Sequence, residues 1–186
     1  MLIDTRSRTP QEMYRLMSGI VVPRPIAWIS TLSGAGLVNL APFSCFTFVS
    51  NSPPMIGVNI GRKAGKEKDT ARNIRRAGDF VVNIGTLSMT DLIHSSAIEF
   101  PEDESEVDAL GLETVASIGI TAPRLKIAPI SMECRLERVI EFGDTGAEFF
   151  VGQVETIHVS DELYDNGKID TARLDPVCRI AGPHYA

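Results

Sequence analysis

The sequence predicts a mainly β fold with peripheral helices: six strands in a closed or nearly closed antiparallel barrel. Three observations lead there. Short runs of β-branched and aromatic residues are joined by glycine-rich hairpin turns such as Ser33-Gly-Ala-Gly36 and Phe142-Gly-Asp-Thr-Gly146. The helical patterns group at the ends of the strand set. The strict βαβ alternation of a doubly wound sheet is missing.

The elements follow in order. Thr9-Pro10-Gln11-Glu12 starts a helix: Thr9 caps, Pro10 suits the first helical position and Glu12 has the capping-box offset. Met13, Leu16 and Met17 give it an apolar face and Gly19 ends it. Ile26 to Thr31 reads as the first strand and Leu37 to Ala41 as its return. Met55 to Ile60 is the third strand. Gly61 to Thr70 is a glycine-punctuated basic loop, and Asp69 or Thr70 caps a helix that Gly78 stops. Phe80 to Ile84 is the fourth strand. Thr86 to Ile98 reads as a helix that buries Leu87, Leu92 and Ile93. Phe100 to Thr121 is acidic and broken by Pro and Gly, a surface excursion with one turn near Val107 to Leu110. Ile130 to Glu141 and Phe149 to His158 are the fifth and sixth strands, and Asp170 caps a turn ending near Leu174.

Composition sets bounds. The chain of 186 residues fits one domain with a sizeable core, and 44% hydrophobic with 23% charged residues is ordinary for a globular protein. A net charge of −6 gives no electrostatic support for nonspecific nucleic-acid or anionic-membrane binding. No apolar run reaches transmembrane length, and the N-terminus lacks the plan of a signal peptide. Three widely spaced cysteines, Cys45, Cys134 and Cys178, argue against a disulfide framework and for a reducing, cytoplasmic setting. His94, His158 and His184 are too scattered for a metal site, and GxGxxG, Walker, HExxH and GxSxG motifs are all absent.

Two stretches carry the chemistry. In Asn39 to Pro54 the strand pattern breaks at Ala41-Pro42. Small polar groups (Ser44, Thr47, Ser50, Asn51, Ser52) then alternate with Phe43, Phe46 and Phe48. Such a loop suits a flat, polar-edged anionic ligand such as a flavin nucleotide; it equally suits a connection that buries three rings. In Lys66 to Asn73 a cation cluster meets a helix start, whose unpaired N–H groups and dipole favour an anion. Lys68 and Thr70 can hold a phosphate, with Arg62 or Lys66 nearby; a solvated charged loop is the other reading. Trp28, the only tryptophan, reads as core or as a ligand's neighbour.

Arg24-Pro-Ile-Ala-Trp-Ile-Ser-Thr31, Asn39-Leu-Ala-Pro-Phe-Ser44, Pro53-Pro54, Lys68-Asp-Thr70 with Arg72-Asn-Ile74, and Phe80-Val-Val-Asn83 occur in an order and spacing that resembles the flavin reductase-like domain family. The tail Arg179-Ile-Ala-Gly-Pro-His-Tyr185 resembles one branch of it. The resemblance covers roughly residues 18 to 185. It implies a single domain over 1–186, with a core at 18–160 that is a homodimeric Greek-key split barrel, and a C-terminal tail at 161–186 packing near the site. It implies bound FMN, with FAD as the alternative, and NAD(P)H:flavin reductase activity. The electrons would go to a monooxygenase or another acceptor protein; an electron carrier without a nicotinamide site is the alternative. By residue, it implies that Asn39, Leu40, Ala41, Pro42, Phe43, Ser44, Cys45 and Phe46 line the ring. Trp28 and Ser30 would approach from the adjoining strand. Ser50, Asn51, Lys68 and Thr70 would hold the ribityl and phosphate end, and His184 and Tyr185 would lie where nicotinamide docks.

Overall fold

The Thr9-to-Glu12 spacing closes as a capping box: Glu12 N–H donates to Thr9 Oγ1 at 3.2 Å and Thr9 N–H donates to the Glu12 carboxylate at 2.8 Å. Helix α1 (Pro10–Ile20) follows, and it buries none of its residues. The computed structural model describes residues 1–62 and 65–186; Lys63 and Ala64, in the predicted basic loop, lie outside the described residues.

Among the described residues the main sheet has seven strands: β1 (Ala27–Leu32), β2 (Val38–Phe43), β3 (Phe46–Asn51), β4 (Pro54–Ile60), β5 (Asp79–Ile84), β6 (Ile130–Phe142) and β7 (Ala147–Val159). The order is β2-β1-β5-β6-β7-β4-β3, with every pairing antiparallel. The strand not predicted is β3. Its residues read as a polar loop, yet Thr47 and Val49 alternate with Phe46 and Phe48 and the strand pairs with β4 from Phe46↔Val58 to Asn51↔Pro54. The β6–β7 hairpin is the longest, with two register shifts along β7. The end strands β2 and β3 are joined only by Ser44 and Cys45, and Asn59 N–H donates to Cys45 C=O at 2.8 Å.

Alternation along β1 explains the two main cores. Ala27 and Ile29 point inward with Val58, Phe80, Val82 and Phe150, where Ala71 and Ile74 of helix α2 (Asp69–Ala77) close the end. Ile26 and Trp28 point outward with Leu40, Ile93, Val107 and Leu125, beneath helices α3 (Thr90–Ser95) and α4 (Glu106–Ala109). Each fully buried side chain such as Ile29 or Phe80 contributes roughly 1.5–3 kcal/mol. The predicted helix after Thr86 is a 3-10 turn followed by α3; it exposes Leu87 and buries Met89 in its place.

The outer face of β1, β5 and β6 carries a buried polar stripe instead of the solvated one its alternation predicts. Asp79 accepts from Thr121 N–H at 2.9 Å and from Ala122 N–H at 3.2 Å. Glu133, fully buried, accepts from Ile118 N–H at 2.8 Å and Gly119 N–H at 2.9 Å, and lies 2.7 Å from His158 Nε2. The segment read as a surface excursion is thus fastened to the sheet by side chains reaching its backbone. Burial pushes the Glu133 carboxyl up, but the Gly119 N–H, His158 and the Ile118 N–H together hold it below its ordinary value.

Two outcomes follow. Gly152 packs so tightly that an added Cβ would lie 2.5 Å from the Phe80 ring; Gly152→Ala lowers the unfolding free energy by about 1–3 kcal/mol in a denaturant titration. Because the Glu133 carboxyl is held low in the fold, its contribution is present above the ordinary carboxylate value and is lost as pH falls through the lowered one. Melting temperatures measured against pH will therefore show an acid-side decline that Glu133→Gln flattens, at a cost of roughly 2–3 kcal/mol at neutral pH.

Candidate functional site

Strand β2 is an edge, and its alternation sends residues to both sides. Asn39, Ala41 and Phe43 face α2 and the inner core. Asn39 Nδ2 donates to Thr70 Oγ1 at 3.4 Å, and Lys68 Nζ lies 5.1 Å from the centroid of the Phe43 ring. Lys68 occupies the N-cap of α2 without a side-chain cap bond, and Gly78 ends the helix at a φ of 75°. Asn73 Nδ2 fastens α2 to β1 by donating to Thr31 Oγ1 at 3.1 Å. Asn39, Phe43, Lys68 and Thr70 thus lie near the start of α2, where Phe43 and Thr70 are buried and the half-buried Lys68 brings a positive charge to the helix N-terminus.

On the other side, Pro42 and Ser44 enter a cleft of about 500 Å³. Helix α1 supplies Tyr14, Arg15 and Ser18 to one wall, and the C-terminal tail supplies Arg179, Gly182 and Tyr185 to another. Arg24 and Ile26 form the floor. Among the described residues no Asp or Glu lines this cleft, although the chain as a whole is acidic at −6. The Arg179 guanidinium lies 4.5 Å from the centroid of the Tyr185 ring and its Nε–H donates to Gly182 C=O at 2.9 Å. The Tyr185 hydroxyl is 3.3 Å from His94 Nδ1. Cationic, aromatic and half open, the cleft suits a flat anionic ligand.

The structure places the predicted residues in several surroundings, and seven of them fall into two groups. Asn39, Phe43, Lys68 and Thr70 meet on one side of β2, and Pro42, Ser44 and Tyr185 on the other. Ala41 and Phe46 pack on the inner core. Cys45 is exposed at the β2–β3 turn. Ser50 and Asn51 sit at the far end of β3, beside the turn into β4. Arg62 is drawn to the buried Glu148 at 3.8 Å, which Arg75 also holds at 2.7 Å. Lys66 is exposed, and His184 is exposed and outside the cleft lining. Trp28, Ser30 and Leu40 are fully buried: the Trp28 indole N–H donates to Ser96 Oγ at 2.9 Å and the Ser30 hydroxyl to Pro123 C=O at 2.6 Å. Sequence reasoning missed Tyr14, Arg15 and Arg179 as lining residues. The paired signal was available: helix α1 and the tail each carry an Arg and a Tyr, but only folding makes them opposite walls.

A family model described as the flavin reductase like domain matches residues 17–173. The chain belongs to the flavin reductase-like domain family. Its sequence is 42% identical to protein BH2278 of Halalkalibacterium halodurans, over the whole chain and 91% of that protein. Its fold superposes with a TM-score of 0.97 on nitrilotriacetate monooxygenase component B from Bacillus cereus, at 37% identity, covering 100% of this chain and 94% of that one. A split barrel domain protein from Shewanella frigidimarina superposes with a TM-score of 0.88 at 22% identity, again over 100% and 94% of the two chains, and shares the fold. The split-barrel class read from the sequence therefore holds for this flavin reductase-like chain, with the main sheet richer by the strand β3.

Since Trp28 is fully buried, its fluorescence will be resistant to iodide quenching in the folded protein and become quenchable on unfolding. Strong quenching of the native protein would place the indole at the surface of the site instead.

Proposed function

We propose that this protein is an FMN-dependent oxidoreductase that takes hydride from NADH or NADPH and passes the electrons to a flavin-dependent partner such as a monooxygenase. The observation that carries this reading is the division of labour on strand β2. One side presents the Asn39, Phe43, Lys68 and Thr70 group, suited to a phosphate; the other presents Pro42 and Ser44 to a cationic, aromatic cleft suited to flat rings. The donor set fits a flavin mononucleotide: a lysine, a hydroxyl and a helix start for the phosphate, and backbone and small polar groups for the ring edge. Bound flavin supplies the hydride-accepting chemistry. What remains for this chain's own residues is to bind and align. Lys68 and Thr70 hold the phosphate; Pro42 and Ser44 back the ring; Arg24, Arg179 and Tyr185 shape the space for a second ring and limit water.

The likeness to a solved monooxygenase component supports a partner of that class. A cytoplasmic homodimer is part of the same proposal: Met17 and Ile20 of α1 and Phe48 and Val49 of β3 are exposed apolar residues that a second copy would cover.

The test is steady-state oxidation of NADH and NADPH with FMN supplied, together with flavin titrations of Lys68→Ala. We expect FMN-dependent turnover, and FMN binding weakened about tenfold or more in the variant with riboflavin binding unchanged, since a charge-assisted contact to phosphate contributes about 1.5–3 kcal/mol. No turnover with either nucleotide, or equal FMN affinity in the variant, contradicts the proposal.

A further inference from the structure

Arg24 is the most heavily bonded side chain beside the cleft, and its bonds run to protein groups on three sides of it. It is 8% exposed. Its Nη1 donates to the Ser18 and Val21 carbonyls at the end of α1, the latter at 2.8 Å. Its Nη2 donates to the Ile180 carbonyl of the tail at 3.0 Å, and its Nε to Ser44 Oγ at 3.4 Å. One planar guanidinium thereby touches the α1 wall, the tail wall and the β2–β3 connection. The backbone repeats the link, because Arg24↔Arg179 and Pro25↔Cys178 form a short antiparallel pair. Within its last turn the tail bonds mostly to itself: Cys178 and Ala186 exchange both N–H···O=C bonds, and Ile180 N–H donates to His184 C=O, while Tyr185 packs on the outer core cluster beside His94.

We propose that Arg24 is a positioning residue that holds the tail, and with it Arg179 and Tyr185, at a fixed distance from Ser44 and α1, so that the cleft has one width. This rests on the reading of the cleft as the nicotinamide side of a flavin site, but the mechanical claim stands apart from it. A guanidinium suits the role because its donors are fixed in a plane and it stays charged at any working pH. Lysine offers a single ammonium point and cannot reach the Ser18, Ile180 and Ser44 acceptors together.

Arg24→Lys tests this, with Arg24→Ala as the second variant. Hydrogen exchange on the FMN-supplemented protein reads the tail directly. The expected result is exchange of the Cys178, Ile180 and Ala186 amides faster by about tenfold, as loss of one charged bond implies, with the β5 amides of Phe80 and Val82 unchanged. The expected kinetic result is a KM for the nicotinamide raised about tenfold in Arg24→Lys, with kcat changed less than about threefold, and a non-additive effect when Arg24→Lys is combined with Tyr185→Ala. Unchanged tail exchange in both variants overturns the proposal. So does faster exchange spread evenly over tail and barrel, which would mark a general stabilising role. If the tail loosens as expected while the wild type oxidises no nicotinamide, the positioning role stands and the reductase reading fails.

Discussion

Asn83 is the group on which the outer layer depends. It is fully buried on β5. Its Nδ2 donates to Trp28 C=O at 3.0 Å and to Ser30 Oγ at 3.1 Å; its Oδ1 accepts from Leu125 N–H at 3.0 Å and Ser131 Oγ at 2.9 Å. An amide has two donors and room for two acceptances, so every capacity is used. Left without these partners it would cost about 1–3 kcal/mol for each unmet group. The same residue therefore ties β1, β6 and the segment around Leu125 into one arrangement. Asp79 and Glu133, two strand residues on the same face, extend this to residues 118–122.

The site inherits its position from that stripe. Fixing β1 fixes its partner β2, whose outward Leu40 packs in the Trp28 cluster and whose backbone N–H at Leu40 donates to Glu106 at 2.9 Å. The edge strand is thus covered on one flank by α4, where Ser105 also donates to Val38 C=O at 2.7 Å. Beyond Ala41 the strand passes the α4 cover: Phe43, still buried, turns toward Lys68, and half-buried Pro42 and Ser44 border the cleft. A layer held by many buried hydrogen bonds, beside a strand end that borders a cleft, is what a preorganised binding edge requires.

Much of this was legible in the sequence. Local signals with a mechanism held: the capping box at Thr9, the Gly78 stop, and the hairpins at Ser33 and Phe142. The ordered motifs also pointed to the flavin reductase-like family. Two things were not legible. Segment 46–51 reads as a loop because Ser and Thr dominate its polar side, yet polar residues on one face are what an exposed edge strand carries. And Asp79, Asn83, Ser131 and Glu133 look like a solvated stripe in any alternation pattern, since sequence does not reveal that residues 118–125 fold back over them. The same long-range closure, tail against α1 with Arg24 between, is why the sequence points to Pro42, Ser44 and Tyr185 of the cleft lining but not to Tyr14, Arg15 or Ser18 of the facing helix.

The central claim is that this fold carries flavin and lets a nicotinamide reach it. The most direct measurement is the visible absorption spectrum of protein purified and supplied with FMN, recorded anaerobically before and after NADH and then NADPH. The account predicts oxidised-flavin bands that remain with the protein through gel filtration and bleach with one of the two nucleotides. Protein that stays colourless after incubation with FMN would contradict it.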